Sequence, residues 1–188
     1  EQYFKDTMLF RDILSDVDLV VSCTGNWYSD QAVLSIQKDE CFPVIFVFVE
    51  AHACAGHVLL NIPDSGAYES IHFCSGESVG KLRNPLTVWP SETLVRIPAC
   101  AGEFQPYGAI EIAHVQSIAA KKVIDIILCD GEFDMSSHTI WVGCSNDLYE
   151  LGGAWNKKWG GLGIKFGGGG KRIELDYDQG KWVTRSEC

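Results

Sequence analysis

The chain has 188 residues, of which 15 are Lys or Arg and 25 are Asp or Glu, so its formal net charge is −10. This acidic balance argues against a protein that binds a nucleic-acid backbone or an anionic membrane, because both contacts need basic patches. Hydrophobic residues make up 46% and charged residues 21%, which is typical of a globular domain. The longest strongly apolar run, 42–49, is too short to span a bilayer. The sequence begins at Glu1 without an initiator methionine, and we expect a piece of a longer protein.

Eight cysteines are spread along the chain without a Cys-x-x-Cys pair. Several of them, such as Cys23 and Cys129, follow apolar runs, where a free cysteine behaves as a small buried hydrophobic residue, so the sequence predicts reduced thiols. Because Cys-x-x-Cys spacing closes most zinc knuckles, its absence predicts no zinc. Reduced thiols are usual in cytosolic proteins, and this favours a cytoplasmic location. A zinc site assembled from scattered cysteines and histidines stays open as an alternative.

The first part of the chain alternates strand and helix patterns. Residues 19–23 predict a short buried strand, and residues 43–49, rich in Val, Ile and Phe, predict the next one. Between them, residues 31–38 predict a helix with Ser29 or Asp30 as its N-cap. A strand–helix–strand order with continuous apolar strands is typical of a parallel, helix-covered sheet. The sequence therefore predicts an α/β fold with a partial Rossmann-like parallel sheet.

The pattern changes after the second strand. Residues 57–62 and 70–74 predict further strands, and residues 75–98, with three prolines, predict a long crossover loop. An apolar stripe predicts a long helix over 109–128. Residues 131–188 predict a β-rich C-terminal extension with antiparallel strands.

Three stretches, in chain order, resemble the adenylating enzymes of the ThiF, MoeB and ubiquitin-activating superfamily. Residues 18–26 (DLVVSCTGN) are similar to the family's strand and turn below the ATP phosphates. Residues 43–74 are similar to its next passage, with 55–58 (AGHV) at a turn into a second sheet. Residues 100–108 (CAGEFQPYG) are similar to its Cys-x-x-Gly passage before a long helix. The nearest resemblance is to bacterial activating domains fused to conjugating-enzyme domains in CBASS antiphage operons.

This resemblance implies that residues 1–188 are the C-terminal portion of an activating domain. In the full-length protein, ATP and Mg would adenylate the C-terminus of a ubiquitin-like or target protein, and Cys100 would accept it as a thioester. A conjugating-enzyme domain and a second copy in a homodimer are the implied partners. The fragment alone is expected to be inactive, because no Gly-x-Gly-x-x-Gly loop follows a strand. The alternative is a non-catalytic partner-binding or dimerisation half of such a complex.

Two turns carry the remaining candidate site residues. Gly25 and Asn26 follow a buried strand at its carboxyl end, where ligands bind in open parallel sheets. The resemblance makes them a nucleotide or substrate turn, although Gly25 replaces the family's aspartate and an ordinary turn stays open. Glu50, His52 and His57 cluster after the next strand and are candidates for active-site neighbours. Metal binding and a purely structural role are the other interpretations of that cluster.

Cys100 lies shortly before the predicted long helix, and a helix N-terminus can lower the pKa of a nearby thiol. A structural loop cysteine is the alternative. A cysteine hydrolase that pairs Cys100 with His114 or His138 is a further possibility without a recognisable local motif. Four tryptophans of the C-terminal third can pack in the core or line a groove: Trp141, Trp155, Trp159 and Trp182.

Overall fold

The computed structural model describes residues 7–90, 93–97, 102–104, 106–128, 134–162, 166 and 170–185. Its main strands are β1 (Val20–Ser22), β2 (Val44–Val49), β3 (Ala55–Asn61), β7 (Ser137–Val142), β9 (Lys171–Asp178) and β10 (Lys181–Thr184). Two short pairs are β4 (Thr87–Val88) with β8 (Ala154–Trp155), and β5 (Val95–Ile97) with β6 (Gly102–Phe104). The α-helices are α1 (Thr7–Leu14), α2 (Trp27–Glu40), α3 (Ala67–Ile71), α4 (Ala109–Leu128) and α5 (Ser145–Glu150). Two 3₁₀ turns are Ala51–Ala53 and Lys157–Leu162.

The central sheet has six strands in the order β1-β2-β3-β7-β9-β10. Its β1–β2 pair is parallel, and the four pairs from β2 to β10 are antiparallel. The predicted α/β class is confirmed, as are the additional antiparallel strands and the long helix. The sheet is mixed and mostly antiparallel because the 51–53 turn reverses the chain directly from β2 into β3, and a parallel connection needs a much longer crossover. β7, β9 and β10, which lie within 131–188, extend this same sheet.

Helix α2 begins earlier than the sequence predicts. Asn26 is its N-cap, because the Asn26 side-chain oxygen accepts hydrogen bonds from the backbone N–H of Tyr28 and Ser29. The predicted caps, Ser29 and Asp30, therefore lie inside the first turn. This position turns Asp30 inward, where it is buried.

The strand predicted over 70–74 is wrong. Residues 67–71 form helix α3, which begins after Gly66 in the left-handed region (φ 71°). The side-chain oxygen of Asn61 accepts the backbone N–H of Tyr68 in the first turn of this helix. His72 then makes an isolated bridge with Leu82. Local hydrogen bonding thus overrides the β-like composition of this segment.

Helix α4 covers one face of the sheet, and α2 and α3 cover the other. Gly56 in β3 allows the close approach of α4, since an added Cβ would lie 2.1 Å from the Val115 side chain. His57 and Leu59 point to the face opposite α4, as expected from the alternation of side chains along a strand. None of the helices in the described ranges is long and apolar enough to cross a bilayer. The core under α4 consists of Ile45, Val58, Leu60, Val115, Ala119 and Ile126.

Candidate functional site

The turn after β1 and the turn after β2 lie at one edge of the sheet, because these two strands run parallel. Gly25 and Asn26 follow β1, and Glu50 follows β2. A pocket of about 100 Å³ lies at this edge, with Gly25 and Phe48 in its lining. The structure thus brings the two sequence-predicted turns to the carboxyl edge of the parallel pair, where such sheets bind ligands.

The turn after β1 has little hydrogen-bonding capacity left for a phosphate. Asn26 Oδ1 accepts the N–H groups of Tyr28 and Ser29 at 3.0 and 3.2 Å. The Asn26 N–H itself donates to Thr24 Oγ1 at 3.1 Å. A helix N-terminus binds phosphate through free N–H groups, and these three are already engaged. The residues of this turn therefore do not fit a nucleotide phosphate with its Mg²⁺.

Asp30, a buried carboxyl group beside this turn, makes hydrogen bonds that the sequence did not predict. Its Oδ1 accepts the hydroxyls of Ser22 and Thr24 at 2.6 and 3.1 Å, and its Oδ2 accepts the Tyr68 hydroxyl at 2.7 Å. Burial raises the pKa of Asp30 by more than these hydrogen bonds lower it. Burial and the neighbouring Asp30 likewise raise the pKa of Tyr68. The group ties the end of β1 to α2 and α3.

Glu50 is buried and its carboxylate is fully used by protein donors. Oε1 lies 3.0 Å from His57 Nε2 and accepts the Leu86 N–H at 2.7 Å. Oε2 accepts the N–H and the hydroxyl of Thr87 at 2.8 and 2.6 Å. Burial alone would raise the pKa of Glu50, but the hydrogen bonds from His57, Thr87 and Leu86 hold that pKa below its ordinary value. Glu50 therefore anchors segment 86–87 as an ionised group and does not face a ligand.

His57 links Glu50 to a second buried histidine. His57 Nδ1 lies 3.0 Å from His138 Nε2, while His57 Nε2 faces the Glu50 carboxylate. His138 is 2% exposed, and its Nδ1 has no hydrogen-bond partner in the part of the chain that the structure describes. Burial, with the nearby His57 and His72, lowers the pKa of His138 well below its ordinary value, so this ring is neutral. The result is a buried chain of three groups that ends in a free ring nitrogen.

Strand register brings these histidines together. In the β3–β7 pair, His57 lies opposite Ile140 and Leu59 lies opposite His138, so the two histidines are diagonal neighbours on one face. No local sequence pattern marks this contact, because it depends on the pairing of strands 81 residues apart. The available sequence signal was that His57 begins a predicted strand and that His138 lies in the predicted β-rich extension.

His52, which the sequence placed with Glu50, lies apart from this chain. Its backbone is in the left-handed region (φ 55°), as is that of Ala53 (φ 51°). The His52 ring packs against Trp89, with ring centroids 4.9 Å apart. Two consecutive non-glycine residues in this region mark a strained turn at the end of β2.

A cavity of about 430 Å³ lies beside the histidine chain, on the sheet face opposite α4. His57 and His138 form part of its wall, together with Arg83, Lys158 and two tryptophans. All the titratable side chains in the lining are basic, although the chain as a whole is acidic. The cavity combines apolar walls with a few polar groups, as small-molecule sites do.

The remaining sequence-predicted residues do not join this site. Cys100 lies outside the described residues, so its predicted role as nucleophile stays a prediction. His114 lies on α4, stacked on Trp141 at 4.2 Å, on the opposite side of the sheet from His138. The five described cysteines, Cys23, Cys41, Cys54, Cys74 and Cys144, carry free thiols. Across the ranges covered by the structure, no group of three or more His, Cys, Asp or Glu is placed to hold a metal ion.

Comparisons of the chain with protein-family models, with curated proteins and with solved structures found no match. The structure itself supplies three features that bear on function: the two turns at the carboxyl edge of the parallel pair, the buried chain of Glu50, His57 and His138, and the cavity beside it.

Proposed function

We propose that the chain is part of an ATP-dependent enzyme that activates the C-terminal carboxylate of a ubiquitin-like or other target protein and transfers it to Cys100. The observation that supports this proposal most is the position of two turns, 24–26 and 50–53, at the carboxyl edge of the parallel β1–β2 pair. The sequence resemblance marks the first of these turns as a neighbour of the reacting groups, and the second carries the candidate active-site residues Glu50 and His52. The β1–α2–β2 unit adds support, because its two strands are parallel and are connected through a helix.

Backbone strain after β2 adds support. His52 and Ala53 both have positive φ, and the turn is held by a hydrogen bond from the Glu50 N–H to the Ala55 carbonyl oxygen at 2.8 Å. Such strain costs about 1–3 kcal/mol per residue and is retained mostly at functional sites. We therefore expect this turn to contact the substrate.

The transfer step needs a thiolate and an activated acyl group. The Cys100 sulfur attacks the carbonyl carbon, a C–S bond forms, and the bond from that carbon to the phosphate oxygen of the leaving group breaks. Because the N–H groups of the turn after β1 are engaged by its own side chains, the proposal assigns the nucleotide phosphates to residues other than this turn. Consistent with this, the 188-residue chain alone is expected to bind Mg-ATP poorly.

The test uses the full-length protein with Mg-ATP and the candidate target protein. We expect ATP–pyrophosphate exchange and an adduct on a gel that reducing agent removes. Cys100→Ala should abolish the adduct and leave the exchange, whereas Cys74→Ala, at an exposed thiol, should change neither. An adduct that survives Cys100→Ala and disappears in another cysteine variant would refute the assignment of the nucleophile. Absence of exchange with every target would refute the proposed activity.

A second candidate function is a non-catalytic half that pairs with another copy of the chain. It is favoured by three large apolar side chains exposed at the end of α4, namely Ile124, Ile127 and Leu128 at 55, 65 and 75%. Sedimentation at increasing protein concentration tests it. A dimer that Ile127→Glu dissociates, together with absence of pyrophosphate exchange, would select this function over the first.

A further inference from the structure

We propose that the cavity of about 430 Å³ beside His138 binds a small aromatic carboxylic acid. The carboxylate lies at Arg83 and Lys158, and the aromatic ring packs on Trp159 and Trp182. This proposal does not depend on ATP, on Cys100 or on the activity proposed above.

The charge of the lining selects an anion. Arg83 is fixed by a hydrogen bond from Nε to the His72 carbonyl oxygen at 2.6 Å and by its position over the Phe73 ring. Its terminal nitrogens, like Lys158 Nζ, have no hydrogen-bond or carboxylate partner among the described residues. Within the described ranges, the two cations therefore lie at one cavity without acidic groups that would neutralise them. A planar carboxylate matches the fork of an arginine, which makes it the favoured anion.

The apolar walls select an aromatic body. Trp159 Nε1 donates to the Asn84 carbonyl oxygen at 3.0 Å, and Trp182 Nε1 donates to Ser70 Oγ at 2.8 Å. Both polar ends of these indoles are thus occupied by the protein. Their rings are held in place as apolar surface, on which an aromatic ligand packs favourably. The cavity volume lies within the range of about 300–1,000 Å³ that is usual for small-molecule sites.

His138 contributes ring surface to this wall and no free polar atom, because its Nδ1 is buried and its Nε2 is engaged by His57.

Calorimetry with two probes on the 188-residue chain tests the inference. The probes are a naphthoate and the corresponding naphthol, which has the same ring without the carboxylate. We expect the naphthoate to bind, and the naphthol to bind about tenfold more weakly or not at all, because it lacks the charged contact.

Substitutions at two exposed residues test where the carboxylate binds. Arg83→Gln should weaken naphthoate binding by about tenfold, to an affinity close to that of the naphthol. Lys157→Gln is the matched control, because Lys157 adjoins Lys158 in the sequence but does not line the cavity, and it should leave binding unchanged.

Absence of binding for both probes would overturn the inference. So would equal affinity for naphthoate and naphthol, or an equal loss of naphthoate affinity in Arg83→Gln and Lys157→Gln. None of these results bears on the activity proposed for Cys100. Absence of that activity, in turn, would not bear on ligand binding in this cavity.

Discussion

His57 in β3 and His138 in β7 are 81 residues apart in the sequence, and their ring nitrogens lie 3.0 Å apart in the interior. Glu50 at the end of β2 faces the other nitrogen of His57. This chain of groups connects segment 86–87, through the carboxylate of Glu50, to the wall of the cavity of about 430 Å³. One carboxylate and two imidazoles therefore form a continuous buried polar chain.

Glu50→Gln should destabilise the fold, because one carboxylate oxygen becomes an NH₂ group that faces donors. Four donor groups surround the carboxylate, so the amide leaves at least one of them unpaired. We expect a loss of about 2–4 kcal/mol in the free energy of unfolding. Urea denaturation measures it, with the exposed Glu77→Gln as control. Equal stability of the two variants would contradict the role of Glu50 as an anchor.

Stability should fall as the pH decreases below about 6.5. Burial lowers the pKa of His72 from 6.5 to about 4, so the native state resists a proton that the unfolded chain accepts. The contribution is complete above pH 6.5 and is lost as the pH falls toward 4. By proton linkage, this group alone costs about 1–2 kcal/mol at pH 5. The lowered pKa of Glu50 adds a loss of the same sign below its ordinary value of 4.5.

Urea midpoints at several pH values check this prediction. His72→Phe should reduce the dependence between pH 7 and pH 5, since its ring can retain the contacts with Tyr68 and Phe48. A pH dependence that is unchanged in His72→Phe would contradict the assignment to this histidine.

Tyr68→Phe should be destabilising, whereas Tyr28→Phe should be nearly neutral. Removing the Tyr68 hydroxyl leaves Asp30 Oδ2 without its donor in a buried position, at a cost of about 1–3 kcal/mol. Tyr28 is 75% exposed on α2 and serves as the matched control. Thermal unfolding of the two variants compares them directly. A larger effect at Tyr28 would show that the Asp30 group does not hold α2 to α3.

Gly56→Ala should disturb the contact between β3 and α4. The new methyl group would lie 2.1 Å from the Val115 side chain, and overpacking of this kind costs about 1–3 kcal/mol. Gly160→Ala adds a methyl group where nothing lies within 4 Å, and it controls for the loss of glycine. Equal unfolding midpoints for the two variants would contradict the close packing of α4.

Sequence reasoning succeeded where local periodicity decides the structure. The apolar stripe predicted the helix at 109–128 with the bounds that α4 has, and the Val- and Ile-rich run at 43–49 predicted β2. Predictions from the sequence failed where hydrogen bonding or strand order determines the structure. Residues 70–74 looked like a strand, but the cap at Asn61 and the left-handed Gly66 start a helix there.

The candidate site was predictable only in part. Gly25, Asn26 and Glu50 were singled out because they follow apolar strands, and this is a local signal. The contact of His57 with His138 was not predictable, because it requires the antiparallel pairing of β3 with β7. Asp30 was interpreted as a cap, since its burial depends on where α2 begins. Local sequence patterns predict neither the pairing of β3 with β7 nor the residue at which α2 begins.

The most direct test of the buried chain of Glu50, His57 and His138 is nitrogen NMR of the histidine rings at neutral pH. We expect a proton on His57 Nε2, directed at the Glu50 carboxylate, and a neutral His138 with one protonated nitrogen. In Glu50→Gln the signals of both rings should shift together, because His57 transmits the change to His138. A His57 ring without a proton on Nε2, or a doubly protonated His138, would contradict the account.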